Sequence, residues 1–124
     1  MRVLLVDDEA DLASALAERL DMRGIEADWA TTAQEALERA GSAHYDLAVL
    51  DVKMPKVGGL ELRKQLHANY PQMKFIFLTG YGSEREFQQA ACEAGEACYL
   101  VKPIDIQELI DRMNELVAQD GGAR

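Results

Sequence analysis

Four stretches of this 124-residue chain place chemically capable side chains directly after apolar runs. Asp7-Asp8-Glu9 follows Val3-Leu4-Leu5-Val6, and Asp51 follows Leu47-Ala48-Val49-Leu50. Thr79 follows Phe75-Ile76-Phe77-Leu78, and Lys102-Pro103 follows Tyr99-Leu100-Val101. Three carboxylates brought together repel one another unless a cation neutralises them. A hard divalent ion such as Mg2+ suits a few carboxylates with several waters retained. Metal and ammonium together would neutralise charge on the oxygens of a transferring phosphoryl group. A carboxylate is a competent nucleophile toward phosphorus, and a threonine hydroxyl can donate to a phosphoryl oxygen. Each residue alone has a plainer reading: acids are favoured at helix starts, and an Asp after a strand is a common turn former. Their joint placement is what argues for chemistry.

The elements that must position these residues follow from the same runs. Five apolar stretches, at Val3–Val6, Ile25–Ala30, Leu47–Leu50, Phe75–Leu78 and Tyr99–Val101, are mostly continuous, as in strands buried on both faces of a parallel sheet. Segments with helical spacing separate them. Leu12, Leu16 and Leu20 recur every fourth residue before a stop at Gly24. Thr32 with Glu35 forms a capping box ahead of Ala36, Leu37 and Ala40. Leu62 and Leu66 mark a third helix after Gly58-Gly59, and Ser83 with Glu86 opens a fourth that carries Phe87, Ala90, Ala91 and Ala94. A fifth begins at Asp105 with Glu108 and buries Ile106, Leu109, Ile110, Met113 and Val117. The expected fold is α/β: (βα)5, a doubly wound five-stranded parallel sheet with the flavodoxin-like strand order 2-1-3-4-5. Such sheets bind ligands outside the carboxyl ends of their strands, where four of the five ends here carry the residues named above.

Composition narrows the function classes. A net charge of −9 argues against direct contact with nucleic acid, which needs clustered cations. Cys92 and Cys98 lack metal-ligand spacing and lie in apolar segments, so buried reduced thiols and a cytoplasmic location are expected. No segment approaches the roughly 18 apolar residues that span a bilayer, and no signal peptide is expected.

In this order and at these separations, Val6-Asp7-Asp8-Glu9, Leu50-Asp51-Val52-Lys53-Met54-Pro55 with Gly59, Leu78-Thr79-Gly80 and Tyr99-Leu100-Val101-Lys102-Pro103 form a specific pattern. It resembles the response-regulator receiver family of two-component signalling from Val3 to about Val117. The resemblance implies that Asp51 accepts a phosphoryl group from a phosphohistidine on a sensor histidine kinase or phosphotransfer protein. Asp8, Asp51 and the backbone carbonyl of Lys53 would bind Mg2+, with Asp7 acting through water. Lys102 would pair with the acyl phosphate, Thr79 would move toward it, and Tyr99 would turn inward behind it. The Lys102–Pro103 peptide would be cis. The switched surface would comprise helix four, strand five and helix five, the family's face for a downstream effector and for homodimerisation. Such a domain catalyses only its own phosphorylation and dephosphorylation.

Three departures from the family pattern stand out. Lys102 follows Thr79 by 23 positions, one more than the pattern expects, which places an extra residue in the loop after strand four or in helix four. Gly58 stands where an Asp is common, and Lys53 is expected to influence water access to the phosphate. A phosphatase of the haloacid-dehalogenase type would carry a second Asp where Lys53 stands, and a nucleotide-binding module would carry a glycine-rich turn in place of Asp7-Asp8-Glu9. A degenerate, binding-only receiver would have lost an acid or the lysine. Residues 1–118 are expected to form the domain, and 119–124 a frayed tail or the start of a linker.

Overall fold

The computed structural model describes residues 1–80 and 97–122. Five parallel strands, β1 (Arg2–Val6), β2 (Glu26–Ala30), β3 (Leu47–Asp51), β4 (Lys74–Thr79) and β5 (Ala97–Val101), form one sheet in the order β2-β1-β3-β4-β5. The helices described are α1 (Ala10–Asp21), α2 (Ala33–Ser42), α3 (Gly59–Asn69) and α4 (Ile106–Gly122), the last being the helix expected fifth from the sequence. The fourth helix of that expectation, Cys92, the side chain of Cys98 and the added position all fall outside the described residues.

Side chains alternate between two cores because successive residues of a strand point to opposite faces. Val3, Leu5, Val49, Ile76 and Leu100 pack against Leu16 and Leu20 of α1 and Leu109 and Met113 of α4. Leu4, Val6, Leu50, Phe75 and Phe77 face the other way, onto Ala36 and Ala40 of α2 and Leu62 and Leu66 of α3. Burial on both faces explains why β1, β3 and β4 read as unbroken apolar runs. β2 lies at the sheet edge, and most of its residues are only partly buried. On α4, Leu109, Met113 and Leu116 are buried while Ile106, Ile110 and Val117 are partly so. Leu116 thus joins the face expected from the sequence.

The helix ends are closed locally. Thr32 Oγ1 accepts from the Glu35 N–H at 3.1 Å, and the Glu35 carboxylate reaches back to the N–H of Thr31, one residue before the cap. α1 ends in a Schellman turn: the N–H of Gly24 donates to Asp21 O and that of Ile25 to Leu20 O, both at 3.0 Å. This requires Gly24 to take φ +79°, where a side chain is disfavoured. Asp105 caps α4 by accepting from the Glu108 N–H at 3.3 Å. That helix continues to Gly122, past residue 118.

Candidate functional site

The register of the sheet brings the candidate residues to one rim. Val6 pairs with Leu50, Asp51 with Leu78, and Thr79 with Val101, so Asp7, Asp51, Thr79 and Lys102 end or follow four adjacent strands. Asp51 and Thr79 are the last residues of their strands, one step earlier than a loop position. Backbone bonds hold the rim together: Asp7 N–H to Ala30 O at 3.1 Å, Val52 N–H to Leu78 O at 3.0 Å, and Lys102 N–H to Thr79 O at 2.8 Å.

One carboxylate oxygen from each of Asp7, Asp8 and Asp51 lies within 4.8 Å of the others, with Asp8 exposed and the other two buried. Asp7 is 2 % exposed and Asp51 6 %. Lys102 Nζ donates to Asp7 Oδ2 at 3.0 Å and stands 3.6 Å from Asp51 Oδ2. The other Asp7 oxygen accepts from the Glu9 N–H at 2.9 Å. Asp7 is therefore the anchor of Lys102, a partnership that the sequence reading did not assign. Opposite charges following two strand ends on the same rim were the available signal.

Burial first, and the charge of Asp7 next, push the Asp51 carboxyl up to about 6; Lys102 and a backbone hydrogen bond at Lys53 pull the other way. For Lys102, burial lowers the pKa but the bond to Asp7 and the charge of Asp51 outweigh it, so the net direction is upward. A charged lysine and an acid poised to lose its proton thus share one partly desolvated corner.

Thr79 is almost wholly buried. Tyr99 is buried too, its ring centroid 5.0 Å from that of Phe77 and within the α2–α3 core. The Lys102–Pro103 peptide is cis. The side chain of Lys53 is exposed on the loop after β3. A cleft of about 290 Å³ opens beside Asp8 between the start of α2 and Pro55–Val57. A larger one, about 470 Å³, lies elsewhere, among Arg2, Asp28, Glu38, Arg39 and Tyr45. There Tyr45 Oη donates to Asp28 Oδ2 at 2.6 Å and Arg2 reaches the same oxygen at 3.2 Å. Those groups satisfy one another and tie β2 to the sheet, so we assign chemistry to the acidic rim despite its smaller cleft.

The family model for the response regulator receiver domain matches residues 3–114. The chain belongs to that family. As a receiver domain of two-component systems it is a signalling domain, and its curated relatives are response regulators. It is 35 % identical over 122 residues to the two-component response regulator PhoP of Pseudomonas aeruginosa, covering 98 % of this chain and 54 % of that protein. The response regulator MprA of Mycolicibacterium vanbaalenii is 35 % identical over 126 residues, with 99 % and 54 % covered. The receiver thus spans about half the length of the curated relatives it matches. Among solved structures, the response regulator TrrA of Thermotoga maritima, in complex with Mg2+-BeF, superposes with TM-score 0.79 at 35 % identity over 93 % of this chain and 97 % of that one. A CheY-like receiver of Methanospirillum hungatei gives 0.87 at 30 % identity, covering 99 % and 98 %. No helix among the described residues is long and apolar enough to cross a membrane.

Proposed function

We propose that this receiver accepts a phosphoryl group on Asp51 from the phosphohistidine of a sensor histidine kinase or phosphotransfer protein, in a Mg2+-dependent reaction. The observation that carries this reading is the rim itself: three carboxylates within 4.8 Å, with Lys102 Nζ 3.0 Å from one and 3.6 Å from another. The donor set fits the metal, because it consists of hard carboxylate oxygens, one of them on an exposed side chain. Asp8, Asp51 and the Lys53 carbonyl are the proposed ligands, with Asp7 acting through water. Mg2+ held there would supply neutralisation of charge on the transferring oxygens.

The residues divide the work. An Asp51 carboxylate oxygen attacks phosphorus, the P–N bond to the imidazole breaks, and its electron pair stays on the ring nitrogen. Lys102, held in place by Asp7, is near enough to shift its donors to the new phosphoryl oxygens. Thr79, at the end of the neighbouring strand, supplies a hydroxyl donor. The modification brings about −1.5 to −2 charges and three acceptor oxygens to this corner, and the answering donors lie at the ends of β4 and β5. Tyr99, behind Thr79 in the sheet register, couples that rearrangement to the surface of the expected fourth helix, β5 and α4. That surface meets the effector. The domain acts on itself alone, in the cytoplasm, and residues 1–118 suffice for it.

Mass spectrometry after incubation with acetyl phosphate tests the reading. We expect one base-labile phosphoryl group on the wild type in Mg2+, none after chelation and none on Asp51→Asn. An adduct that persists in that variant or without metal overturns the assignment.

A further inference from the structure

Gly58 and Gly59, which open α3, lie against the main chain of the acidic rim. An added Cβ at Gly59 would fall inside contact distance of the Asp51 carbonyl oxygen, 3.0 Å from its carbonyl carbon and 3.2 Å from Val52 Cα. At Gly58 it would stand 2.9 Å from Val52 O. Neither glycine is needed for backbone freedom: Gly58 has φ −78° and ψ 172°, open to any residue, and Gly59 is the first residue of a helix. Close approach is what the missing side chains permit. Gly24 is the opposite case, with φ +79° and nothing within 4 Å of an added Cβ.

We propose that Gly58 and Gly59 are positioning residues for phosphoryl transfer, setting where the Asp51 carboxylate and the Lys53 backbone stand. The inference rests on the reading of Asp51 as phosphoacceptor. The end of β3 is held from two sides. Val52 N–H donates to Leu78 O at 3.0 Å, and Val52 O accepts from Gly59 N–H at 3.1 Å. α3 is fixed in turn by Leu62 and Leu66, both fully buried. A methyl group at Gly59 therefore finds the helix anchored behind it and Asp51 in front of it. Relief requires a shift on the order of an ångström, shared with the strand end that bears the nucleophile. Asp51 itself takes a backbone hydrogen bond at Lys53, so a shift in this turn moves the acid and its local donor together. Displacements of that size cost reactions about 100-fold when reacting groups lose alignment.

The experiment compares wild type, Gly58→Ala, Gly59→Ala and Gly24→Ala in the full chain. Mg2+ affinity is read by calorimetry, the acetyl phosphate reaction rate by mass spectrometry, and stability by thermal unfolding, with binding and rate measured where every variant is folded. For Gly59→Ala we expect both Mg2+ affinity and rate to fall roughly 10- to 100-fold. Gly58→Ala should move both in the same direction, roughly 3- to 10-fold. Gly24→Ala, strained but remote from the rim, should lose stability and keep wild-type affinity and rate. Should Gly59→Ala not fold, Gly58→Ala decides. Glycine variants at 58 and 59 that behave like Gly24→Ala overturn the positioning role while the wild type remains a phosphoacceptor. A wild type that binds no Mg2+ and takes no phosphoryl group overturns the functional reading, and the positioning role with it.

Discussion

The proposed attack on phosphorus needs Asp51 ionised, in a place where burial and the charges of Asp7 and Asp8 favour its neutral form. Its folded value of about 6 lies above the ordinary aspartate value of 3.8, so between those values the folded state binds the proton more tightly than the unfolded chain. Stability of the metal-free protein therefore declines as pH rises from about 4 through about 6, and the full penalty is present above that window. Asp51→Asn removes the penalty. In chelator at pH 7.5 the variant should be more stable than wild type by roughly 1–3 kcal/mol, the lower figure applying if Lys102 misses its second anion. Urea unfolding at pH 7.5 and pH 4 checks this: the gain should vanish at the lower pH, and an equal gain at both would refute a charge-based cause.

Several helix ends owe their limits to short-range chemistry. The hydroxyl of Thr32 satisfies an N–H that the first turn of α2 leaves without a partner, while Gly24 lets α1 reverse into β2. Thr32→Ala should cost about 1 kcal/mol in denaturant unfolding and leave the m-value unchanged. A loss below about 0.3 kcal/mol would mean that water replaces the cap. These signals were legible because the partners lie within five residues of each other. The back-reach of Glu35 to Thr31 rather than to Thr32 was not legible, since it depends on the angle at which β2 delivers the chain. Nor was the Tyr45–Asp28–Arg2 group, whose members come from the loop before β3, from β2 and from β1. It holds the Asp28 carboxyl below the usual carboxylate range, chiefly through the Tyr45 hydroxyl, and burial with Asp28 pushes Tyr45 up to about 12.

For the molecule as a whole, the doubly wound sheet separates stability from chemistry. The two apolar faces carry the packing, and the carboxyl rim carries charge that the folded state must tolerate. A cation that binds only the folded rim should offset that cost. At ten times its dissociation constant, Mg2+ adds about 1.4 kcal/mol to stability by mass action. The increment should disappear in Asp51→Asn if that carboxylate is a ligand. Thermal scans with and without Mg2+ on both proteins make the comparison, and equal shifts in the two would place the cation elsewhere.

The pattern of apolar runs, caps and breakers was enough to define five strands, their parallel arrangement and the residues at their carboxyl ends. Hydrophobic periodicity and capping are local, and a strand buried on both faces leaves an unbroken run that sequence displays directly. Asp7, Asp8, Asp51, Thr79 and Lys102 were legible for the same reason. What tertiary structure alone decided is how those ends meet. The strand register set Lys102 against Asp7 at 3.0 Å and only then against Asp51. It placed Tyr99 against Phe77 in the core, and it pressed Gly58 and Gly59 onto the Asp51–Val52 main chain. Distances between groups far apart in the chain are set by packing of whole elements, and no local spacing encodes them.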